Sequence, residues 1–272
     1  MILTTITPYW SRPEQLERWL RCIEAAHHPE VKHLLMVGDA PRESLLPKTP
    51  ACVEAISCFR VGDESIGMFH NVGAALTKTE WIMKLDVDAL PNVEYFTALV
   101  EVLRSAGPRQ WFNGGMVFLN ERASRWYLDT EKGLSVQRYY HVMSNRPSCV
   151  NGSYLLPAAS NFICRREEYL QLGGCDDRFK GWGWEDYQQI YMLEKHYMEV
   201  DPLPGALSLS NVTQRCRDEI SRPRARQLWQ IDARLCLLHH WHRENEDRSY
   251  RSHANQNRAA LFDYILQRRG SL

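Results

Sequence analysis

No stretch of this sequence approaches the roughly 18 consecutive apolar residues that a membrane-crossing helix requires, and no apolar signal region precedes the run that begins at Ile2. A chain without a transmembrane span is expected, cytoplasmic, with at most a peripheral place at the inner face of a membrane. No excess of one charge is present: Lys plus Arg and Asp plus Glu stand at 33 each. Nothing therefore asks for nucleic acid, and any basic site must be local. The cysteines (Cys22, Cys52, Cys58, Cys149, Cys164, Cys175, Cys216, Cys236) include no C-x-x-C pair, which argues against a zinc ribbon or a thiol-redox motif. They read as reduced, mostly buried thiols. In an oxidising compartment the even count would instead allow disulfides, and Asn151-Gly-Ser153 and Asn211-Val-Thr213 would become glycosylation sequons. Repeats and low-complexity tracts are also missing. What is there is a chain of 272 residues, 44% hydrophobic, enough for one substantial core and one domain over residues 1–272.

Local patterning predicts how that domain begins. Ile2 to Thr7 is a β-branched run stopped at Pro8, read as the first core strand. Ser11 and Glu14 form a capping box ahead of a helix whose apolar stripe is Leu16, Trp19, Leu20 and Ile23. His33 to Val37 and Trp81 to Leu85 read as further strands, Asn71 to Lys78 as a helix between them, and Val93, Phe96, Val100 and Leu103 as the stripe of another. Alternation of this kind predicts an α/β fold with a mostly parallel, doubly wound sheet, whose ligands sit at the carboxyl ends of the strands. Pro8, Asp39 and Asp86-Val87-Asp88 all fall at such ends. Beyond residue 105 the pattern is weaker: Trp111 to Leu119 reads as a strand, Asn161 to Arg165 as a short apolar piece, Gly173 to Trp184 as loop, Glu185 to Tyr197 as helix, and Ala259 to Arg268 as a last helix. Residues 122–148 have no clean period.

Two motifs carry chemistry. In an extended segment residues i and i+2 face the same way, so Asp86 and Asp88 present two hard oxygen donors together, suited to Mg²⁺ or Mn²⁺ on a diphosphate. The bland alternative is an acidic turn before Pro91. Gly181-Trp-Gly-Trp-Glu-Asp186 joins flat apolar faces to two carboxylates at a helix start, which suits a sugar ring with its apolar face and hydroxyl rim. The alternative is ordinary helix-start charge beside core aromatics.

Taken together, three segments resemble inverting family 2 and β-1,4-galactosyltransferase-type glycosyltransferases, with a C-terminal motif like that of chondroitin synthases. They are Ile2 to Leu20 with Pro8-Tyr-Trp-Ser-Arg12, His70-Asn-Val-Gly73 through Asp86-Val-Asp88 and Pro91, and Leu172-Gly-Gly-Cys-Asp-Asp-Arg-Phe-Lys-Gly-Trp-Gly-Trp-Glu-Asp186. The resemblance spans roughly residues 1–100 and 160–255. It implies a GT-A type, Rossmann-like sheet flanked by helices, with a nucleotide-sugar half over about 1–105 and an acceptor half over about 106–272. It further implies that Pro8, Tyr9, Arg12, Asp39, Asn71, Lys84, Asp86 and Trp182 line the donor site, with Asp39 on the uracil edge and Asp86 on the ribose or sugar. Trp182, Trp184 and Glu185 would face the acceptor, and Asp186 would be the general base. Asp88 would be a metal ligand, joined by His242 from Leu238-His-His-Trp-His242, with His239 one helical turn away as the weaker candidate. Trp184 stands where the family usually has glycine, and Trp10 where it has a small or polar residue; both leave acceptor and base contacts open.

The activity so implied is Mn²⁺- or Mg²⁺-dependent transfer of a hexose or N-acetylhexosamine, galactose or N-acetylgalactosamine foremost, from a UDP-sugar to a hydroxyl of a glycan or lipid-linked glycan, with inversion. Residues 243–257 are expected to act as a lid. Two other classes compete. A sugar nucleotidyltransferase would carry a glycine-rich loop after the first strand, and Pro8 to Arg12 holds no glycine. A catalytically inactive glycan-binding module on the same fold would not need Asp86, Asp88, Glu185, Asp186 and His242 together.

Overall fold

The computed structural model describes residues 1–10, 12–38, 46–58, 66–122, 124–125, 154–181, 183–220, 225–232, 234–241 and 252–269, with the backbone alone for 154–159. Among the described residues nine strands make one sheet: β1 (Leu3–Tyr9), β2 (Val31–Gly38), β3 (Val53–Cys58), β4 (Trp81–Lys84), β5 (Ala89–Leu90), β6 (Phe112–Phe118), β7 (Tyr154–Arg165), β8 (Arg226–Gln227) and β9 (Cys236–His239). Their order is β3-β2-β1-β4-β7-β6-β9-β5, with β8 on β6. Pairing is parallel from β3 to β4, antiparallel at β4–β7, β7–β6 and β9–β5, and parallel at β6–β9 and β6–β8. The main helices are α1 (Pro13–Ala25), α2 (Ile66–Leu76), α3 (Tyr95–Arg104), α4 (Arg166–Gln171), α5 (Glu185–Met198) and α6 (Ala254–Arg269).

Because side chains alternate across each strand, the sheet feeds two apolar layers. Leu3, Leu35, Trp81 and Met83 meet Trp19 and Leu20 of α1 and Phe96 and Leu99 of α3 on one face. Ile6, Leu34, Met36 and Ile82 meet Phe69 of α2, Ile190 and Leu193 of α5, and Leu261 and Ile265 of α6 on the other. Helices on both faces of a mostly parallel sheet match the architecture expected from the strand-helix alternation.

Several boundaries differ from expectation for identifiable reasons. β1 does not stop at Pro8 but runs to Tyr9, with Pro8 opposite Met36 of β2. Beyond Ile6 it has a neighbour on one side only, since β4 ends at Lys84, so the absent amide leaves no inner partner unmet. α1 starts at Pro13 after Arg12, which makes no side-chain cap, and proline needs no amide partner at that position; Ser11 of the expected capping box lies outside the described residues. Val93 is exposed and precedes α3. α2 begins before Asn71, and α6 begins at Ala254 rather than Ala259. β3 was not foreseen, being an edge strand, largely exposed, whose apolar residues do not alternate cleanly with polar ones. The piece at Asn161 is the end of the long β7, where a register break sets residues 158–161 against Gly114 alone. That bulge and the β4 end bound the site.

Candidate functional site

Two structural features place the acidic pair. β4 ends at Lys84, and Leu85 donates its amide to the Ile6 carbonyl, so the chain is still tied to the sheet one residue before Asp86. β5 then begins at Ala89, which pairs antiparallel with His239. Asp88 is thus clasped between two sheet attachments, with His239 Nε2 3.6 Å from its Oδ2. His239 lies on β9, a strand, so the helical spacing expected between it and residue 242 does not apply. Arg12 Nη1 reaches the same Asp88 oxygen at 2.6 Å, which joins the start of α1 to the acidic turn.

The catalytic-motif helix arrives from the other side of the chain. Asp186, in the first turn of α5, accepts a short hydrogen bond from Lys84 Nζ. Lys84 is 2% exposed and Asp186 28%, so the pair has a closed cationic side and an open anionic side. Burial alone would push the Lys84 pKa down; the carboxylates of Asp186, Glu185 and Asp86 around it outweigh that and raise it. Asp86 is pushed up to about 7 by burial and by the charge of Asp88, with Lys84 and a hydrogen bond from Ser160 acting against the shift. Glu185 is pushed up to about 8 by burial and by Asp186. At neutral pH Glu185 is therefore largely protonated, unlike an ordinary carboxylate at a helix start. It is 3% exposed, and its Oε2 has no hydrogen-bond partner among the described residues.

The loop before α5 bends through left-handed backbone. Gly183 has φ 106° and Trp184 φ 74°, a conformation glycine adopts freely and tryptophan rarely. Trp184 is held there by its carbonyl, which caps Gln188 N–H, and by its ring packed on Tyr187 at 5.7 Å. From α6, Asn257 spans the loop, donating to the carbonyls of Lys180 and Gly183 and accepting from the Lys180 amide.

The structure thus brings together Arg12, Lys84, Asp86, Asp88, Glu185, Asp186 and His239. Pro8, buried, and Tyr9, half-buried, end the neighbouring β1. Asn71 is elsewhere: its side chain binds the backbone of Cys175 and the hydroxyl of Tyr169. Asp39, Trp182 and His242 lie outside the described residues, as do Ser11, Cys149 and most of the expected lid. Ser160 was not foreseen, and His70 and Asn257 fall in the motif and lid segments without an expected role of their own. His70, buried on α2, has both ring nitrogens unpartnered among the described residues, and burial together with Lys84 drives its pKa well below the usual value. A histidine beside a motif asparagine was the only available signal.

Among the described residues no three His, Cys, Asp or Glu side chains gather as a complete metal cluster. The donor set still fits a divalent cation. Asp88 and His239 converge, and Asp86 is destabilised by the charge of Asp88, which a bound cation would relieve.

A family model described as glycosyltransferase-like family 2 matches residues 56–264, and the chain belongs to that family. Comparison with curated protein sequences finds no match. Among similar solved structures, glucosyl-3-phosphoglycerate synthase from Mycobacterium tuberculosis, in complex with Mn²⁺, UDP-glucose and phosphoglyceric acid, is 13% identical, with 97% of this chain and 79% of that one covered and a TM-score of 0.50. The mannosyltransferase PcManGT from Pyrobaculum calidifontis, in complex with GDP-mannose and Mn²⁺, is 12% identical over 99% and 64%, TM-score 0.49. S. aureus TarS 1-349 is 12% identical over 71% and 55%, TM-score 0.45. The chain therefore spans 55% and 64% of the lengths of the last two. At such identity the likeness to the synthase is one of fold, the GT-A arrangement of a mixed sheet flanked by helices.

Proposed function

We propose that this family 2 member is a metal-dependent, inverting glycosyltransferase that moves a sugar from a UDP-sugar to a hydroxyl of a glycan or lipid-linked glycan. The observation that carries the reading is the contact between Lys84 and Asp186, which joins the donor-side strand to the motif helix across more than a hundred residues of sequence. A mere acidic turn and a mere helix-start acid have no reason to meet.

In this reading residues 1–105 form the donor half and 106–272 the acceptor half. Asp88 and His239, with His242, would hold Mn²⁺ or Mg²⁺, which would offset the charge that gathers on the departing UDP. Asp86 meets the ribose or donor sugar, while Pro8, Tyr9 and Arg12 line the nucleotide. The solvent-open Asp186 removes the acceptor proton as the acceptor oxygen bonds the anomeric carbon and the bond to the UDP oxygen breaks on the opposite face. Lys84 fixes the orientation of Asp186. Glu185, buried and protonated, shapes the acceptor end without adding a second negative charge beside the base. Galactose or N-acetylgalactosamine is the donor sugar favoured by the motif resemblance, and the UDP-glucose and Mn²⁺ held by the synthase of like fold support a nucleotide-sugar donor. No helix among the described residues is long and apolar enough to cross a membrane. The setting proposed is the cytoplasmic side of a membrane, in surface polysaccharide or lipid-linked glycan assembly.

The test is UDP release from a panel of UDP-sugars with and without Mn²⁺, for the native chain, Asp88→Ala and Asp186→Asn. Metal-dependent turnover of one donor, lost in both variants while Asp186→Asn still binds UDP, supports the assignment and names the sugar. Absence of UDP binding and of turnover with every UDP-sugar sinks it.

A further inference from the structure

Asn71 lies in the motif segment that the sequence assigns to donor binding, yet its side chain is spent on the protein. Its Nδ2 donates to the Cys175 carbonyl at 2.7 Å, and its Oδ1 accepts from the Cys175 amide at 2.8 Å and from the Tyr169 hydroxyl at 2.9 Å. A carboxamide gripping both backbone groups of one residue fixes that residue in position and in orientation. The gripped residue belongs to a turn that also meets α5: Gln188 donates to the Gly174 carbonyl at 3.2 Å, and its Oε1 accepts from the Asp176 amide at 3.3 Å. Gln188 is in the first turns of α5, its amide bound to the Trp184 carbonyl. The turn over residues 174–176 is therefore a wedge between α2 and the start of the helix that carries Glu185 and Asp186.

The wedge is fitted on its other sides too. Gly174 has φ 62°, and a methyl group added there would overlap Asn71 Oδ1 and lie 3.0 Å from Tyr169 Cε1. Two residues further along α2, a methyl group added at Gly73 would lie 2.6 Å from Ile6 Cγ2, so α2 rests on β1 at close range. β1 in turn pairs with β4, whose end supplies Lys84, Asp86 and Asp88. A continuous path of short contacts runs from the acidic turn through β1, Gly73, Asn71 and Cys175 to the start of α5.

We propose that Asn71, with Gly174 as its fitted partner, is a positioning residue for Asp186: it sets where the start of α5 stands relative to the acidic turn, and does not bind the donor. The inference rests on the reading of Asp186 as base. Misplacing a reacting group by about 1 Å costs on the order of 100-fold in rate. Asn71→Ala should therefore lower kcat by roughly 10- to 100-fold while UDP affinity in Mn²⁺ stays within about twofold. The amides of residues 185–189 should exchange hydrogen faster, and those of β1 should not. Gly174→Ala should act in the same direction. In the double variant the loss should fall short of the product of the two single losses, because Asn71→Ala removes the atom that Gly174→Ala strikes.

The experiment measures UDP affinity, kcat at saturating donor and hydrogen exchange for the native chain, Asn71→Ala, Asn71→Asp, Gly174→Ala and the double variant. Asn71→Asp keeps the acceptor and loses the donor, and serves if Asn71→Ala does not fold. A tenfold or greater loss of UDP affinity with kcat unchanged overturns the proposal in favour of donor contact. Unchanged kcat per folded molecule, or unchanged exchange at 185–189, overturns it as well. If the native chain turns over no nucleotide-sugar, the proposed function fails, while the exchange pattern and the double-variant melting temperatures still decide whether the clamp exists.

Discussion

Lys84→Met removes a cation that Asp186, Glu185 and Asp86 share while nearly preserving side-chain volume. Removing one partner of a buried ion pair costs about 3–5 kcal/mol, because the other charge is left uncompensated. Asp186 is 28% exposed and recovers part of its hydration, which brings the expected loss to ~2–3 kcal/mol near neutral pH. With an unfolding entropy of about 2.1 cal/mol/K per residue, the chain has a slope of ~0.6 kcal/mol per degree, so the melting temperature should fall by ~4–5 °C. The pH dependence is the more specific signature. Asp86 and Glu185 have folded pKa values raised above their unfolded ones, so each holds its proton longer when folded, and stability falls as pH rises from the unfolded value toward about 7 and about 8. Lys84 works against both shifts, and without it both groups move further up. The loss caused by Lys84→Met should thus be larger at about pH 8 than at about pH 5.5, as read from thermal unfolding of the ligand-free protein. An equal loss at both pH values, or one below about 1 kcal/mol, refutes the shared-cation account.

Glu185→Gln replaces a group already protonated at neutral pH, and should abolish part of the alkaline loss: relative to the native chain it gains stability between about pH 5 and about pH 8. Parallel stability-pH curves for the two proteins would count against a protonated Glu185. Arg12→Ala removes a part-buried ion pair to Asp88 worth about 1 kcal/mol, so Mn²⁺ titrated without nucleotide should bind ~5-fold tighter, while UDP binds more weakly. Weaker Mn²⁺ binding would place Arg12 as a supporter of the metal site. Gly115→Ala puts a methyl group into the Trp229 ring, 2.7 Å from Cδ2, and should destabilise by about 1–3 kcal/mol in thermal unfolding; a neutral result would mean that the Trp229 ring has room to move.

Much of the fold was legible along the chain. The stripe of Leu16, Trp19, Leu20 and Ile23 is buried as its spacing requires, and the acidic pair does follow a buried strand. Legibility failed where structure depends on partners far along the chain. Pro8 reads as a strand end unless it is known that β1 has lost a neighbour by then. β3 carries no clean alternation, its apolar residues falling on both sides of a largely exposed edge. Asn71 reads as a ligand-binding residue until Cys175, 104 positions later, is seen to use its whole carboxamide.

The sequence by itself determined most of the longer elements, the side the amphipathic helices turn to the core, and the chemical types held at strand and helix ends, because these follow from periods of 2 and 3.6 residues read over a dozen positions. It also held the motif order that marks family 2. Only the tertiary structure decided which charges share a space: Lys84 with Asp186, Arg12 and His239 with Asp88, and a Glu185 buried deeply enough to keep its proton. Loss of hydration and the pull of nearby charges depend on neighbours in space, and a linear sequence does not hold those neighbours until the sheet has been assembled.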